Sequence, residues 1–533
     1  ETHKDGDFFM NTVMLIYFAV LLLAVAVYYV VPKRGRWIVL LTFSLLFYLL
    51  ISTYLIVFLL ATALSVYFAA RYVLRPEQED PEKKADETAD PTAEKTAAEK
   101  RARRNKSIIV LTILFNLALI GVLKYYNFFG QTFSSLLSLA GLKVEFPVLR
   151  LALPLGISFY TLSAIGYMVD IHRGKYAAER NFGKFCLFLC FFPQILEGPI
   201  CRYDQTAGAL QEGHSADAKG MLFGVQRIVW GLFKKMVVAD RLYLLVKTIG
   251  DTPAEYSGIA SILFMVCYTI QLYADFSGFI DIALGSGELF GIRLPENFRQ
   301  PFFAKSAQEF WQRWHITLGA WLKEYVFYSV ALSPRVTGPA AKLKKKVKNH
   351  FTKMLPTIVA LFAVWLCNGL WHGPEWKYIV YGMYYFVIIV AGMLAEPLFK
   401  KLYAKLRIDP KNLGLRIFRH IRTILIILIG ETIFGANSLG DGLYILSSVF
   451  RPYGGSIFGL GLDYKEWIIA LVGIAAMLAV GIVKERGIDI RGKITAAVLP
   501  VRWASYIAVA VFLVLFGAYG DMYSVVPFIY GNF

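Results

Sequence analysis

The stretch MNTVMLIYFAVLLLAVAVYYVV, residues 10–31, carries no charged side chain and decides the fold class. At 1.5 Å per residue, a helix of roughly 20 apolar residues crosses a hydrocarbon layer about 30 Å thick. The stretch lacks a small-residue cleavage pattern, so it reads as a span and not as a removable signal peptide. The preceding ETHKDGDFF has no initiating methionine, which makes Met10 a candidate native start. Comparable runs recur at 37–53, 55–74, 107–123, 149–169, 221–246, 258–275, 355–371, 376–395, 417–436, 465–483 and 502–518. Shorter apolar stretches at 185–200, 277–292 and 441–450 are expected to be re-entrant, interfacial or buried. Hydrophobic residues make up 57% of the 533 and charged residues 18%, against about 25% charged in soluble domains. The expected fold is an all-α polytopic membrane protein with about ten to thirteen transmembrane helices plus re-entrant segments.

The net charge of +18 fits cytoplasmic loops that obey the positive-inside bias. Residues 75–106 contribute nothing to it, because their nine basic and nine acidic groups cancel. That segment is polar and poor in aromatics, so a disordered or partly helical cytoplasmic loop is expected. KRGR at 33–36 and RARRNK at 101–106 both face the cytoplasm if two crossings separate them, which puts the N-terminus outside. A second basic block, RVTGPAAKLKKKVKNHFTK (335–353), sets topology and is suited to attracting an anionic donor. No soluble basic domain with readout residues is present, so nucleic acid is excluded as a partner. The five cysteines lie in or beside apolar runs without a CxxC pair and are expected to be buried small hydrophobes.

Charged groups cost several kcal/mol near a bilayer core, so each one calls for a partner or a function. They cluster in LPLGISFYTLSAIGYMVDIHRGK (153–175) with FFPQILEGPICR (191–202), in GLFKKMVVADRL (231–242), and in YADFSGFIDIALGSGELFGIRLPENFRQPF (273–302). A fourth cluster runs from SAQEFWQRWHITLGAWLKEYVFY (306–328) to LCNGLWHGPEW (366–376). Helical spacing puts Trp311, Trp314, His315 and Leu318 on one face, and pairs Glu309 with Arg313 four residues on. Around His372, Asn368, Gly369, Gly373 and Pro374 predict a helix end with room for close approach. A neutral imidazole there is able to take a proton from a hydroxyl. The residues alone leave catalysis, a structural cap, and a metal or transport role open. HExxH, GxSxG, GxGxxG and Walker patterns are all missing. Two histidines without nearby carboxylates or thiolates make a weak metal site, and no metal is expected.

Taken together, PLGISFYT, FFPQILEGPI, GLFKKMVVADRL, YADFSGFIDIALG, ENFRQPF, EFWQRWHITLGAWLKEYVF and NGLWHG resemble the membrane-bound O-acyltransferase family. The resemblance is to its bacterial branch of alginate O-acetylation and teichoic-acid D-alanylation membrane proteins. It implies helices around a central membrane tunnel, a catalytic histidine at His372, and a supporting or co-catalytic one at His315. Asn368, Trp371 and Gly373 would shape the passage, with Trp311 and Trp314 beside it, while Asp275, Glu309 and Arg313 would hold the framework. The long segment after His372, with GETIFGANSLGDGLYIL (430–446) and PFIY (527–530), resembles the acetylation branch. Glu197, where the family has a small or apolar residue, and the lysine-rich loop after WLKEYVFYSV are departures.

The resulting division is N-terminal transmembrane helices (1–74), a charged cytoplasmic loop (75–106), an O-acyltransferase core (107–400) and a C-terminal transmembrane extension (401–533). The expected activity is transfer of an acetyl group from a cytoplasmic thioester, for O-acetylation of an extracellular or cell-envelope polysaccharide. The donor is acetyl-CoA or an acyl carrier protein, with no bound cofactor. The acceptor is a glycan, reached directly or through an extracytoplasmic esterase-like acetyltransferase partner. The expected location is the cytoplasmic (inner) membrane. The alternatives are D-alanyl transfer to teichoic acid and non-enzymatic transport of a glycolipid or anion.

Overall fold

A computed structural model describes residues 2–73 and 91–519, which contain helices and no β-strand. The chain forms two compact units, residues 13–218 with 287–294, and residues 219–286 with 295 onward. The first holds α1 (Thr2–Val30) from Val13 onward, α2 (Arg36–Ser52), α3 (Ile56–Tyr72), α4 (Pro91–Leu139), α5 (Ile157–His172), α6 (Phe182–Cys190), α7 (Phe192–Ile195) and α8 (Tyr203–Gln211). The second holds α9 (Ala218–Phe233), α10 (Asp240–Asp251), α11 (Ile259–Leu289), α12 (Ala307–Arg313), α13 (Ile316–Leu322), α14 (Tyr328–Ala331) and α15 (Pro334–Lys346). It continues with α16 (His350–His372), α17 (Trp376–Lys405), α18 (Leu413–Gly435), α19 (Leu439–Ser448), α20 (Tyr464–Glu485), α21 (Ile490–Ala496) and α22 (Leu499–Phe516).

Eight stretches among the described residues are long and apolar enough to cross a membrane: 13–30, 33–72, 98–139, 259–289, 350–372, 376–405, 464–485 and 499–516. The chain is a multi-pass, all-α membrane protein. Several expected segments take a different form. The run 149–169 is helical only from Ile157, because Pro154 and the left-handed Gly156 (φ 67°) set up the turn before α5. A Cβ at Gly156 would lie 2.0 Å from the Ile195 carbonyl oxygen, so only glycine fits. The run 277–292 is buried, one of the forms expected of it, and belongs mostly to the second half of the 31-residue α11 rather than to a separate re-entrant piece. The helix over 417–436 begins earlier and carries Arg416, Arg419 and Arg422. The charged segment 75–106 lies partly outside the described residues, and from Pro91 onward it is helical and continuous with the apolar part of α4. Four cysteines are buried, whereas Cys367 lies on the exposed side of α16.

In the first unit the polar groups find local partners. Arg36 is buried, donates to the carbonyls of Val31 and His214, and lies over the rings of Tyr28 and Tyr29. Glu179 accepts from Tyr203 (2.7 Å), Gln211 (3.2 Å) and the Asn181 amide (2.9 Å). Although burial alone would raise it, these hydrogen bonds hold its carboxyl below the usual value.

In the second unit α9 and α11 meet along glycines spaced seven apart, Gly224 and Gly231 against Gly278 and Gly285. Small residues let helix backbones approach closely in a membrane, where dispersion replaces the hydrophobic drive. A π-helical turn at Lys234–Ala239 comes next. It widens the helix so that adjacent lysines reach α11: Lys234 pairs with Asp281 (2.7 Å), while Lys235 bridges Asp275 and Asp240 (2.8 Å each). The run 221–246 is therefore a helix with a charged centre that meets buried partners. Gly231→Leu should abolish this packing, since even a Cβ there comes within 2.5 Å of the Gly278 carbonyl oxygen. We expect detergent-extracted Gly231→Leu protein to lose most of its monodisperse peak on size exclusion. Gly392→Ala on α17, where nothing lies within 4 Å, should match the wild type.

Candidate active site

The segment from Ser306 begins as an ordinary helix, with the serine hydroxyl accepting from the Glu309 amide at 3.1 Å. It stops at Arg313. His315 then adopts a left-handed conformation, φ 46° and ψ 52°, and α13 starts anew at Ile316. For a residue with a Cβ this costs about 1–2 kcal/mol. Asn297 holds the turn from a separate segment: its carbonyl accepts from the Ile316 amide at 3.0 Å. Its side-chain oxygen receives the Thr317 amide (3.0 Å), the Thr317 hydroxyl (2.9 Å) and His315 Nδ1 (3.2 Å). A backbone amide only donates, so the accepting Asn297 atom is Oδ1 and His315 Nδ1 carries the proton. Nε2 is then the lone-pair nitrogen. Burial pushes the His315 imidazole down to about 3, so it is neutral at physiological pH.

The single helical face expected for Trp311, Trp314, His315 and Leu318 is therefore broken. Trp311 packs on Trp365, Tyr381 and Tyr385, at 5.0, 6.1 and 4.9 Å between centroids. Trp314 packs on Phe298 and Phe310, at 5.1 and 5.3 Å. Periodicity alone cannot see the left-handed residue between the two turns.

The second histidine ends α16. Gly373 takes an extended conformation, and a Cβ there would lie 2.4 Å from the Tyr378 ring. Glycines also bring α16 and α17 together: a Cβ at Gly369 would lie 2.5 Å from the Tyr378 carbonyl oxygen, and one at Gly382 2.3 Å from that of Trp365. The hairpin thus clamps His372, which is 3% exposed, among aromatic rings. Phe434 and Tyr381 stand perpendicular to it at 4.9 and 5.9 Å. Trp371 touches both histidine rings, at 5.5 Å from His315 and 5.0 Å from His372. Asn368, one turn before His372 on the same face, is 3% exposed.

The charged residues named from sequence lie around this centre. Asp275 pairs with Lys235, and Arg313 pairs with Glu309 and with Glu485 of α20, both at 2.8 Å. A small cleft of about 60 Å³ opens between α9, α11 and α20, lined by Arg227, Lys234, Tyr273, Asp281, Phe298 and Lys484, among others. Phe298 also packs on Phe276 at 5.0 Å, and Phe276 in turn on His315 at 4.8 Å. Sequence reasoning missed Asn297, Tyr381, Glu431 and Phe434. Glu431 is 1% exposed and accepts the hydroxyls of Tyr381 (3.1 Å) and Tyr385 (3.3 Å) on one oxygen. Its signal was an acidic residue inside an apolar run, the feature that marked the other clusters.

Comparison with known proteins places this centre in a family. Residues 177–429 match the sequence model of the membrane-bound O-acyltransferase family, and that stretch is a domain of it. The chain is 31% identical over 343 residues to the probable alginate O-acetylase of Azotobacter vinelandii, covering 64% of this chain and 62% of that protein. It is 28% identical over 386 residues to the peptidoglycan O-acetyltransferase of Helicobacter pylori, covering 68% of each. It is also 28% identical over 284 residues to the teichoic acid D-alanyltransferase of Bacillus subtilis, covering 52% of this chain and 68% of that one. Against the alginate O-acetylases the match thus spans about three fifths of the relative's length.

Glu431 tests the aromatic clamp. Glu431→Ala strands two tyrosine hydroxyls, at about 1–3 kcal/mol each, whereas Glu431→Gln retains an accepting oxygen. We expect a clear fall in the thermal midpoint in detergent for the alanine variant and a small one for glutamine.

Proposed function

Starting from the membrane-bound O-acyltransferase domain at 177–429, we propose that this chain transfers an acetyl group from a cytoplasmic thioester. The product is an O-acetylated polysaccharide outside the cytoplasmic membrane. The observation that carries this reading is the pair of buried histidines, His315 and His372, on either side of Trp371 within the family-matched region. No cofactor is required for such a transfer. The donor is acetyl-CoA or an acyl carrier protein, and the acceptor hydroxyl belongs to a glycan or to a serine of an esterase-like partner.

In the mechanism, the acceptor oxygen attacks the thioester carbonyl carbon while His372 takes the hydroxyl proton. Collapse of the tetrahedral intermediate breaks the C–S bond, and the protonated His372 returns its proton to the leaving thiolate. General-base action of this kind supplies roughly 10²–10⁴-fold. The clamp of Tyr378, Tyr381 and Phe434 holds the ring and supports positioning and water exclusion. His315, with its proton committed to Asn297, has no N–H to offer the acyl carbonyl, so its proposed part is to position Trp371 and the wall of the site rather than to take a proton.

The cleft beside Phe298 is the proposed donor access, because Arg227, Lys234 and Lys484 line it and Phe298 connects it through Phe276 to His315. D-alanyl transfer is the second reading, supported by the teichoic acid D-alanyltransferase likeness. Acetyl is favoured because the acetyltransferase matches extend over 64–68% of this chain, against 52% for the D-alanyltransferase.

The test is transfer from radiolabelled acetyl-CoA, and in parallel from a radiolabelled D-alanyl carrier protein, in membranes holding wild type or His372→Ala, with de-O-acetylated alginate, peptidoglycan and teichoic acid supplied. We expect label on glycan or partner protein with the wild type, and a loss of at least about 10²-fold in the variant. Label moving only from a D-alanyl carrier protein would favour the second reading. An unaltered rate in His372→Ala at equal abundance would exclude this histidine as the base.

A further inference from the structure

Acyl transfer through a tetrahedral intermediate places negative charge on the former carbonyl oxygen. Donors aimed at that atom are usually the largest single contribution to such catalysis. Neither histidine fills this role: His372 handles the transferred proton, and the Nδ1–H of His315 is given to Asn297. Two further donors on α17, which packs against the end of α16, are engaged as well. Lys377 donates to the Ala436 carbonyl at 2.9 Å and pairs with Glu375 at 3.4 Å, and the Tyr381 hydroxyl donates to Glu431.

Asn368 differs from these. Its side chain is 3% exposed, and among the described residues Nδ2 has no hydrogen-bond partner. Buried amide donors without a partner are rare in native structures, and each calls for an explanation. Position does the rest: residues i and i+4 of a helix lie one above the other, about 5–6 Å apart at Cβ. Asn368 therefore stands on the same face as His372, one turn deeper in α16. The face is held rigid there, because Gly369 locks the backbone of α16 against Tyr378 and Ile379.

We propose that Asn368 Nδ2 is the oxyanion donor of the acyl transfer. As the acceptor oxygen bonds to the carbonyl carbon, the C=O π electrons move onto oxygen, and Asn368 N–H donates to that oxyanion. When C–S breaks, the electrons return, the carbonyl re-forms and the hydrogen bond weakens. Asn368 neither gains nor loses a proton. It is a catalytic residue in the strict sense, because it touches the reacting atom, and the assignment rests on the O-acyltransferase reading.

The experiment compares wild type, Asn368→Ala, Asn368→Asp and His372→Ala in proteoliposomes, with radiolabelled acetyl-CoA as donor and de-O-acetylated alginate or peptidoglycan as acceptor. Abundance and thermal midpoint are measured alongside. Losing one oxyanion donor should lower kcat by about 10²–10³-fold with KM for acetyl-CoA nearly unchanged. The decisive variant is Asn368→Asp, which keeps the shape but replaces the donor with an acceptor. It should be at least as impaired as alanine. If both variants keep kcat within about threefold of wild type while His372→Ala is dead, the oxyanion assignment is wrong and the acyltransferase reading stands. If aspartate is active and alanine is not, Asn368 acts by shape and the assignment again fails. A wild type that transfers from no acyl thioester overturns both.

Discussion

A hydrocarbon layer offers no hydrogen bonds, so a polar side chain within it must bring its own partner. Much of the second unit derives from that constraint. Lys234 and Lys235 are tolerated because Asp281, Asp240 and Asp275 meet them within 2.8 Å. The helices carrying them approach closely enough only because glycines face each other at the seam. The π-turn is a further consequence: consecutive residues on an α-helix point about 100° apart, and widening the turn lets both lysines address one neighbouring helix.

The same constraint shapes the candidate site. One amide oxygen, Asn297 Oδ1, receives three donors, and with them it fixes a left-handed histidine, a helix start and a tautomer. Replacing that oxygen with a methyl group would strand all three donors in a buried place. The backbone strain at His315 is therefore carried by an interaction that also decides which imidazole nitrogen bears the lone pair. Around His372 the surroundings are aromatic instead. Rings packed edge-on give rigidity without adding charge, which suits a group whose work depends on moving one proton.

Legibility from sequence divides along these lines. The end of α16 at His372 was readable, because NGLWHGP concentrates residues that stop helices and permit close approach. The long apolar runs were readable for the same local reason. The break at His315 was not, since WQRWHITL has unbroken helical periodicity and the group that imposes the break is 18 residues away. Glu431 and Phe434 stand within the recognisable C-terminal stretch, but their places were hidden, because their partners lie on α17 and at the end of α16. Local chemistry could be read along the chain, and tertiary hydrogen bonds could not.

The surroundings of His372 are shared between the family domain and the end of α18. The sequence match stops at residue 429, yet the helix it enters runs on to Gly435. Within those last turns Glu431 anchors two tyrosines and Phe434 presses on His372. The loop after α18 then supplies the Ala436 carbonyl that holds Lys377. A side chain at the boundary of a domain match can thus be as close to the chemistry as one at its centre. Residues from beyond the shared domain complete the enclosure of the proposed base.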